Sequence, residues 1–222
     1  MALILNLETA TTNCSVALAR NGVNIAMKEH DSASFSHAEE LHLFIKEVLK
    51  EASFLFEDLN AVAVSKGPGS YTGLRIGVSA AKGLCFALDI PLIATSTLRC
   101  MALQVKADSG IIIPVLDARR MEVYAGYYDH NYQEIAPVNA VVIKEDTFLE
   151  YAEKGTVHLA GSGAAKCKEV LRHANFVFDP AIVPSAATMC SLSYEKYTKG
   201  MLENVAYFEP YYLKDFILQQ KK

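Results

Sequence analysis

A chain of 222 residues with 51% hydrophobic and 21% charged side chains has the apolar content to bury one large core or two small ones, and lacks the composition of a disordered chain. Its formal net charge of −4, with Lys221-Lys222 as the longest basic cluster, argues against autonomous binding of tRNA or DNA, which draws most of its affinity from phosphate contacts. No run reaches the roughly 18 apolar residues of a membrane span, no basic residue precedes the first apolar run as in a signal peptide, and the five cysteines (Cys14, Cys85, Cys100, Cys167 and Cys190) form no C-x-x-C pair, so a cytoplasmic protein with buried, reduced thiols is expected.

In chain order, ALILNLET is an apolar run, CSVALA alternates small or polar with apolar, and VNIAMKEH follows. Asn21-Gly22 between the last two is a strong hairpin signal, so the chain is expected to open with a three-strand antiparallel meander. Ser36 and Glu39 form a capping box for a helix over HAEELHLFIKEVLKEA. Leu41, Phe44, Ile45, Val48, Leu49 and Ala52 recur there at helical spacing, and Leu43 widens the apolar face. LNAVAVSKGPG reads as a buried strand entering a glycine turn, YTGLRIGVSAAKGLCFALD as a second helix, IPLIATS as a strand and Thr97–Lys106 as a third helix. The second half repeats this order more weakly. IIIPVLDARR, MEVYAGYYDH and VNAVVIK are strands with a turn at Asp129–Gln133; DTFLEYAEKG is a helix, TVHLAGSG a strand into a glycine turn, and AAKCKEVLRHA a helix. Each half opens with a hairpin bearing a carboxylate, which points to a duplicated unit divided near residues 99–108.

The segment SKGPGSYTGLRIG places a glycine turn between a strand and a helix start, where free backbone N–H groups can cradle an anion. Gly67, Gly69 and Gly73 fit neither the P-loop nor the dinucleotide spacing, and without a G-x-S-x-G elbow Ser70 is a poor nucleophile. The alternative is a tight turn whose glycines let the backbone approach a neighbour. Glu8 and Asp117, one in the opening hairpin of each half, would hold Mg²⁺ and a nucleotide between domains if both faced the same cleft; otherwise each is a turn-capping acid. The six histidines (His30, His37, His42, His130, His158 and His173) form no metal-ligand pair, and no Ser-His-Asp set can be assembled. The second helix carries Gly73, Gly77, Ala80, Ala81, Gly83 and Ala87 with few charges and is apolar nearly all round. It is either a sandwiched core helix or, with the first helix, a subunit interface; surplus apolar surface favours the interface.

ILNLETATTNCSVAL, VSKGPGSYTGLRIGVSAAKGLCFALDIPL, PVLDARRMEVYAGYY and the late GSG resemble, in order and spacing, the bacterial TsaB (YeaZ) family. The match is close over the first 130 residues and looser beyond. The resemblance implies an α/β protein of two actin/Hsp70/sugar-kinase-like (RNase H-like) domains, each a mixed β-sheet with flanking helices, at 1–102 and 103–222. It implies a non-catalytic paralogue of TsaD that dimerises with TsaD, supports docking of the ATPase TsaE, and forms a homodimer when alone. Together these proteins install threonylcarbamoyl on the adenosine next to the anticodon of tRNAs reading codons that begin with A.

The catalytic paralogue's metal-binding H-x-x-x-H aligns with Thr97 and Met101, which cannot replace imidazoles, so a peptidase-like metal site is not expected. Glu8-Thr9 and Asp117-Ala118-Arg119 lack the Asp-Gly and glycine of working phosphate hairpins. Glu8, Gly67, Gly69, Asp117, Gly161 and Gly163 would then form a vestigial nucleotide site, with no cofactor bound by the chain alone and ATP and Mg²⁺ entering only in the assembled complex. The implied partner surface is Leu41, Phe44, Ile45 and Val48 of the first helix with Ile76, Gly77, Ala80, Ala81 and Leu84 of the second; tRNA contact is indirect and no membrane is involved. The competing reading is a small ATP-dependent phosphotransferase using the same interdomain residues.

Overall fold

The computed structural model describes residues 1–32 and 37–214. Ser36 of the expected capping box and the Lys221-Lys222 pair lie outside the described residues.

Strands β1 (Leu3–Glu8), β2 (Asn13–Arg20) and β3 (Val23–Asp31) form the expected meander. Asn21 and Gly22 both have positive φ, 50° and 81°, the backbone that a two-residue hairpin needs to match strand twist. β4 (Ala61–Ser65) joins the other side of β1 in parallel, followed by β5 (Leu92–Thr95), giving the order β3-β2-β1-β4-β5. β1 is buried at every residue because both its faces are covered. Leu3, Leu5 and Leu7 pack under helices α1 (His37–Glu51) and α2 (Tyr71–Leu88), whereas Ile4 faces the opposite layer.

A short helix α3 (Thr97–Ala102) leads into the second sheet of β6 (Ile111–Asp117), β7 (Glu122–Asp129), β8 (Glu134–Val142), β9 (Val157–Ala160) and β10 (Phe176–Asp179). Its order, β10-β9-β6-β7-β8, reproduces that of the first sheet: an antiparallel three-strand meander whose first strand then pairs in parallel with the next unit. The duplicated mixed-sheet architecture is therefore present. Helices α4 (Leu149–Ala152) and α5 (Ala164–Val170) cover one face around Ile113, Val115, Leu159 and Cys167.

The sequence-based expectations depart from the structure at three places. α3 ends at Ala102 rather than Lys106, and α4 and α5 are shorter than their periodic segments. β10 and helix α6 (Ala186–Thr198), capped by Ser185 Oγ accepting from Ala187 N (3.3 Å), lie in sequence to which no element was assigned. The third departure concerns the division of the chain. α6 packs Ala186, Met189, Cys190 and Leu192 on Ile4, Ala17, Ala19, Ala61, Ala63 and Ile93, the far face of the first sheet. A second unit of 103–222 is thus too long. Without α6 the apolar back of β1, β2 and β4 would face water, so the chain returns to the first unit after β10.

Candidate functional site

The glycine turn is built by close docking onto the first hairpin. Ser70 caps α2, its Oγ accepting from Gly73 N at 3.2 Å, while Ser70 N donates to Ala10 O at 2.7 Å. Thr9 Oγ1 donates to Gly73 O at 2.8 Å. A Cβ on Gly69 would stand 2.4 Å from Ala10 O, and one on Gly73 2.1 Å from Thr9 O. Gly67 has φ of 105°, and a Cβ on it would stand 2.9 Å from Tyr211 O. In the second half, Gly161 (φ 113°) donates to Asp179 O at 2.8 Å and Gly163 to Val115 O at 3.0 Å. A Cβ on Gly161 would lie 2.5 Å from Val115 O, and one on Gly163 2.8 Å from Val123 Cγ1. Of the two sequence readings, close backbone approach accounts for these glycines. The Cβ side of each is taken by neighbouring segments of the chain, and the N–H groups of Ser70, Gly73, Gly161 and Gly163 are bonded within the protein, although Gly69 and Asp117 line one cleft.

The two carboxylates part company. Asp117 lines a cleft of ≈ 690 Å³ between the hairpin tips, with Ser70, Arg119, Arg120 and Tyr211. Its Oδ1 accepts from Arg119 N (2.6 Å) and from Lys166 Nζ (2.8 Å), so it stabilises a turn. Glu8 is fully buried and outside that lining. Burial pushes its carboxyl up to about 7, a rise that the N–H of Ala10 and Thr9 and the Ser65 hydroxyl only partly oppose. A carboxyl without solvent access is a poor Mg²⁺ ligand, and of the two readings the turn-capping one describes Glu8, whose Oε1 accepts from Ala10 N at 2.7 Å.

Thr97 and Met101 lie one turn apart on α3, both fully buried: Thr97 Oγ1 is 2.6 Å from Ser65 Oγ, and Met101 packs with Leu98 and Leu116. Among the described residues no group of three or more His, Cys, Asp or Glu side chains is placed to hold a metal. All five cysteines are buried; burial pushes the thiol of Cys85 up to about 11 and those of Cys14, Cys100, Cys167 and Cys190 to about 12, which leaves them unreactive.

The helix-pair surface is corrected in composition. Leu41, Ile45, Val48, Gly77 and Ala81 are buried inside the first unit and cannot touch a partner. Helical spacing marks an apolar stripe without saying what covers it, and here the first sheet does. Phe44, Ile76, Ala80 and Leu84 are partly buried. The last three line an open groove of ≈ 680 Å³ with Ala38, His42, Arg75 and Gly83, and Phe86 stands 85% exposed on the same helix. Leu41→Ala is accordingly expected to cost about 2–5 kcal/mol in urea denaturation, as a core truncation does, rather than to weaken assembly selectively.

A family model described as TsaD, tRNA N6-adenosine threonylcarbamoyltransferase, matches residues 30–216. The chain is 28% identical to the Escherichia coli (strain K12) "tRNA threonylcarbamoyladenosine biosynthesis protein TsaB", over 98% of this chain and 97% of that protein. It is 34% identical to the Bacillus subtilis (strain 168) protein of the same name over 64% of this chain and 63% of that one. The crystal structure of YeaZ from Pseudomonas aeruginosa superposes with a TM-score of 0.83 at 26% identity, covering 96% of this chain and 100% of that one.

The chain belongs to the TsaB/YeaZ branch of the TsaD family.

The TsaB/YeaZ loop in this chain docks a helix onto a hairpin, and each glycine removes a Cβ that the docking forbids. The tyrosines and Pro210 of the stretch from about Asn204 leave open whether it packs back on the first unit or joins a partner contact; Val205 and Phe208 pack on the first core, and Tyr211 closes on this loop. Among the described residues, no helix is long and apolar enough to cross a membrane.

Proposed function

We propose that this chain is a non-catalytic, cytoplasmic subunit of tRNA threonylcarbamoyladenosine biosynthesis that pairs with TsaD through the groove between α1 and α2. It would hold TsaD in its working arrangement and complete the surface on which TsaE docks, leaving tRNA contact to its partners. Alone it would pair with a second copy through the same groove. The observation that carries this reading is the groove itself. Ile76, Ala80 and Leu84 present apolar surface in it, on a chain matched end to end by a relative named for this pathway. The net charge of −4 suits a subunit that does not grip tRNA by itself.

Ala80→Glu is the test. The carboxylate would project into the groove, so a 1:1 complex with TsaD from the same organism, measured by light scattering after size exclusion, is expected to be lost while circular dichroism stays that of the wild type. An intact complex would remove the groove from the interface.

ATP turnover by the isolated chain is not part of this reading, since Glu8 is buried and Asp117 is held by Lys166. Micromolar, Mg²⁺-dependent ATP binding to the isolated chain in calorimetry would restore the phosphotransferase alternative.

A further inference from the structure

After α6 the chain runs without regular structure along the first unit and into the cleft. Glu203 N donates to Leu92 O (2.9 Å) at the open edge of β5. Val205 and Phe208 pack against the first core. Lys82 of α2 then grips this segment by its backbone, Nζ donating to Ala206 O and Phe208 O at 3.1 Å each. Further on, Tyr211 N donates to Lys66 O at 2.7 Å, with Tyr211 O against the open side of Gly67. Tyr212 stacks on Tyr71 at 4.9 Å between centroids. Lys214 pairs with Glu122 at the start of β7, its Nζ 6.0 Å from the centre of the Tyr124 ring. Residues 203–214 thus begin on the edge of the first sheet and end in an ion pair with the second.

We propose that residues 203–214 are a latch that holds the interdomain cleft closed. Its anchor is the Lys82 ammonium, and its catch is the Lys214–Glu122 pair across the cleft mouth. Three features support a device rather than passive packing. Apart from the main-chain bonds of Glu203 and Tyr211, the segment is held by the Lys82 ammonium and by side-chain packing, which can be released without unravelling a helix or strand. Its contacts fall on both walls of one cleft, and Tyr211 and Lys214 themselves line that cleft. The catch is partly exposed, 36% for Lys214 and 31% for Glu122, where an ion pair is weak enough to open.

Hydrogen–deuterium exchange of the full chain tests the latch. Lys82→Met keeps the aliphatic stem and removes both bonds to the segment. Exchange is expected to rise about tenfold or more in residues 203–214, as loss of a charge-assisted bond to two carbonyls implies. The same rise is expected in both cleft walls, residues 66–72 and 117–122, with β1, β4 and α6 unchanged. Faster exchange in 203–214 with unchanged walls would overturn the proposal, as would no change anywhere. Glu122→Gln tests the catch separately: removing the charge that holds Lys214 should raise exchange in 66–72 and 117–122 severalfold relative to the wild type. Equal rates would show that the catch does not control the cleft.

Discussion

Gly73→Ala is expected to destabilise the protein by about 2–3 kcal/mol or more in urea denaturation, although alanine is the better helix former by about 1 kcal/mol. Gly73 lies in the first turn of α2, where the added methyl carbon would stand 2.1 Å from Thr9 O. That neighbour is backbone of a hairpin paired on both sides, so it cannot step aside as a flexible side chain would. α2 would have to lift, stretching the Thr9 Oγ1 bond to Gly73 O and the Ser70 N bond to Ala10 O. Gly83 supplies the control on the same helix. Nothing lies within 4 Å of its added Cβ, and Gly83→Ala is expected to stabilise by about 0.5–1 kcal/mol. If the two variants prove equally stable, close docking does not explain the glycines.

The second large effect is a pH dependence centred on Glu8. Its carboxyl sits at about 7 in the folded protein against 4.5 for the free group, so the folded state holds the proton more tightly than the unfolded chain. The contribution to stability is fully present below about 4.5 and is lost as pH rises through about 7, a change of about 3 kcal/mol at 1.36 kcal/mol for each unit. Burial of His37 lowers its pKa and gives the opposite slope, stability falling on acidification. The measurement is therefore a difference: Glu8→Gln and wild type compared in urea at pH 5 and pH 8. The wild type should lose stability relative to the variant as pH rises. A constant difference between the two would sink the assignment.

Both predictions concern residues whose roles the sequence left open. Gly73 was readable as part of either an anion cradle or a tight turn, and Glu8 as either a metal ligand or a turn cap. The deciding facts are distances to Thr9 O and the burial of β1, which depend on chain segments more than 50 residues apart. The partner surface shows the same limit. Leu41, Ile45 and Val48 carry the strongest periodic signal in α1 because they are core; Ile76, Ala80 and Leu84 reach the groove because they lie one stripe round from Gly73, Gly77 and Ala81.

Local pattern alone determined the two meanders, the Asn21-Gly22 turn, the extents of α1 and α2 to within a residue at most of their ends, and the duplication of one unit. Each of these rests on interactions between near neighbours in sequence: alternation, helical period and turn chemistry. The motif string determined the family. Only the tertiary structure decided that α6 returns to the first sheet, that residues 203–214 bridge the cleft, and that Glu8 is sealed from it. α6 has mixed polarity that becomes meaningful only beside the apolar back of β1, β2 and β4. The 203–214 segment has no periodicity at all; beyond a local turn at Asn204 it is held by Lys82, by the edge of β5 and by Lys66 O.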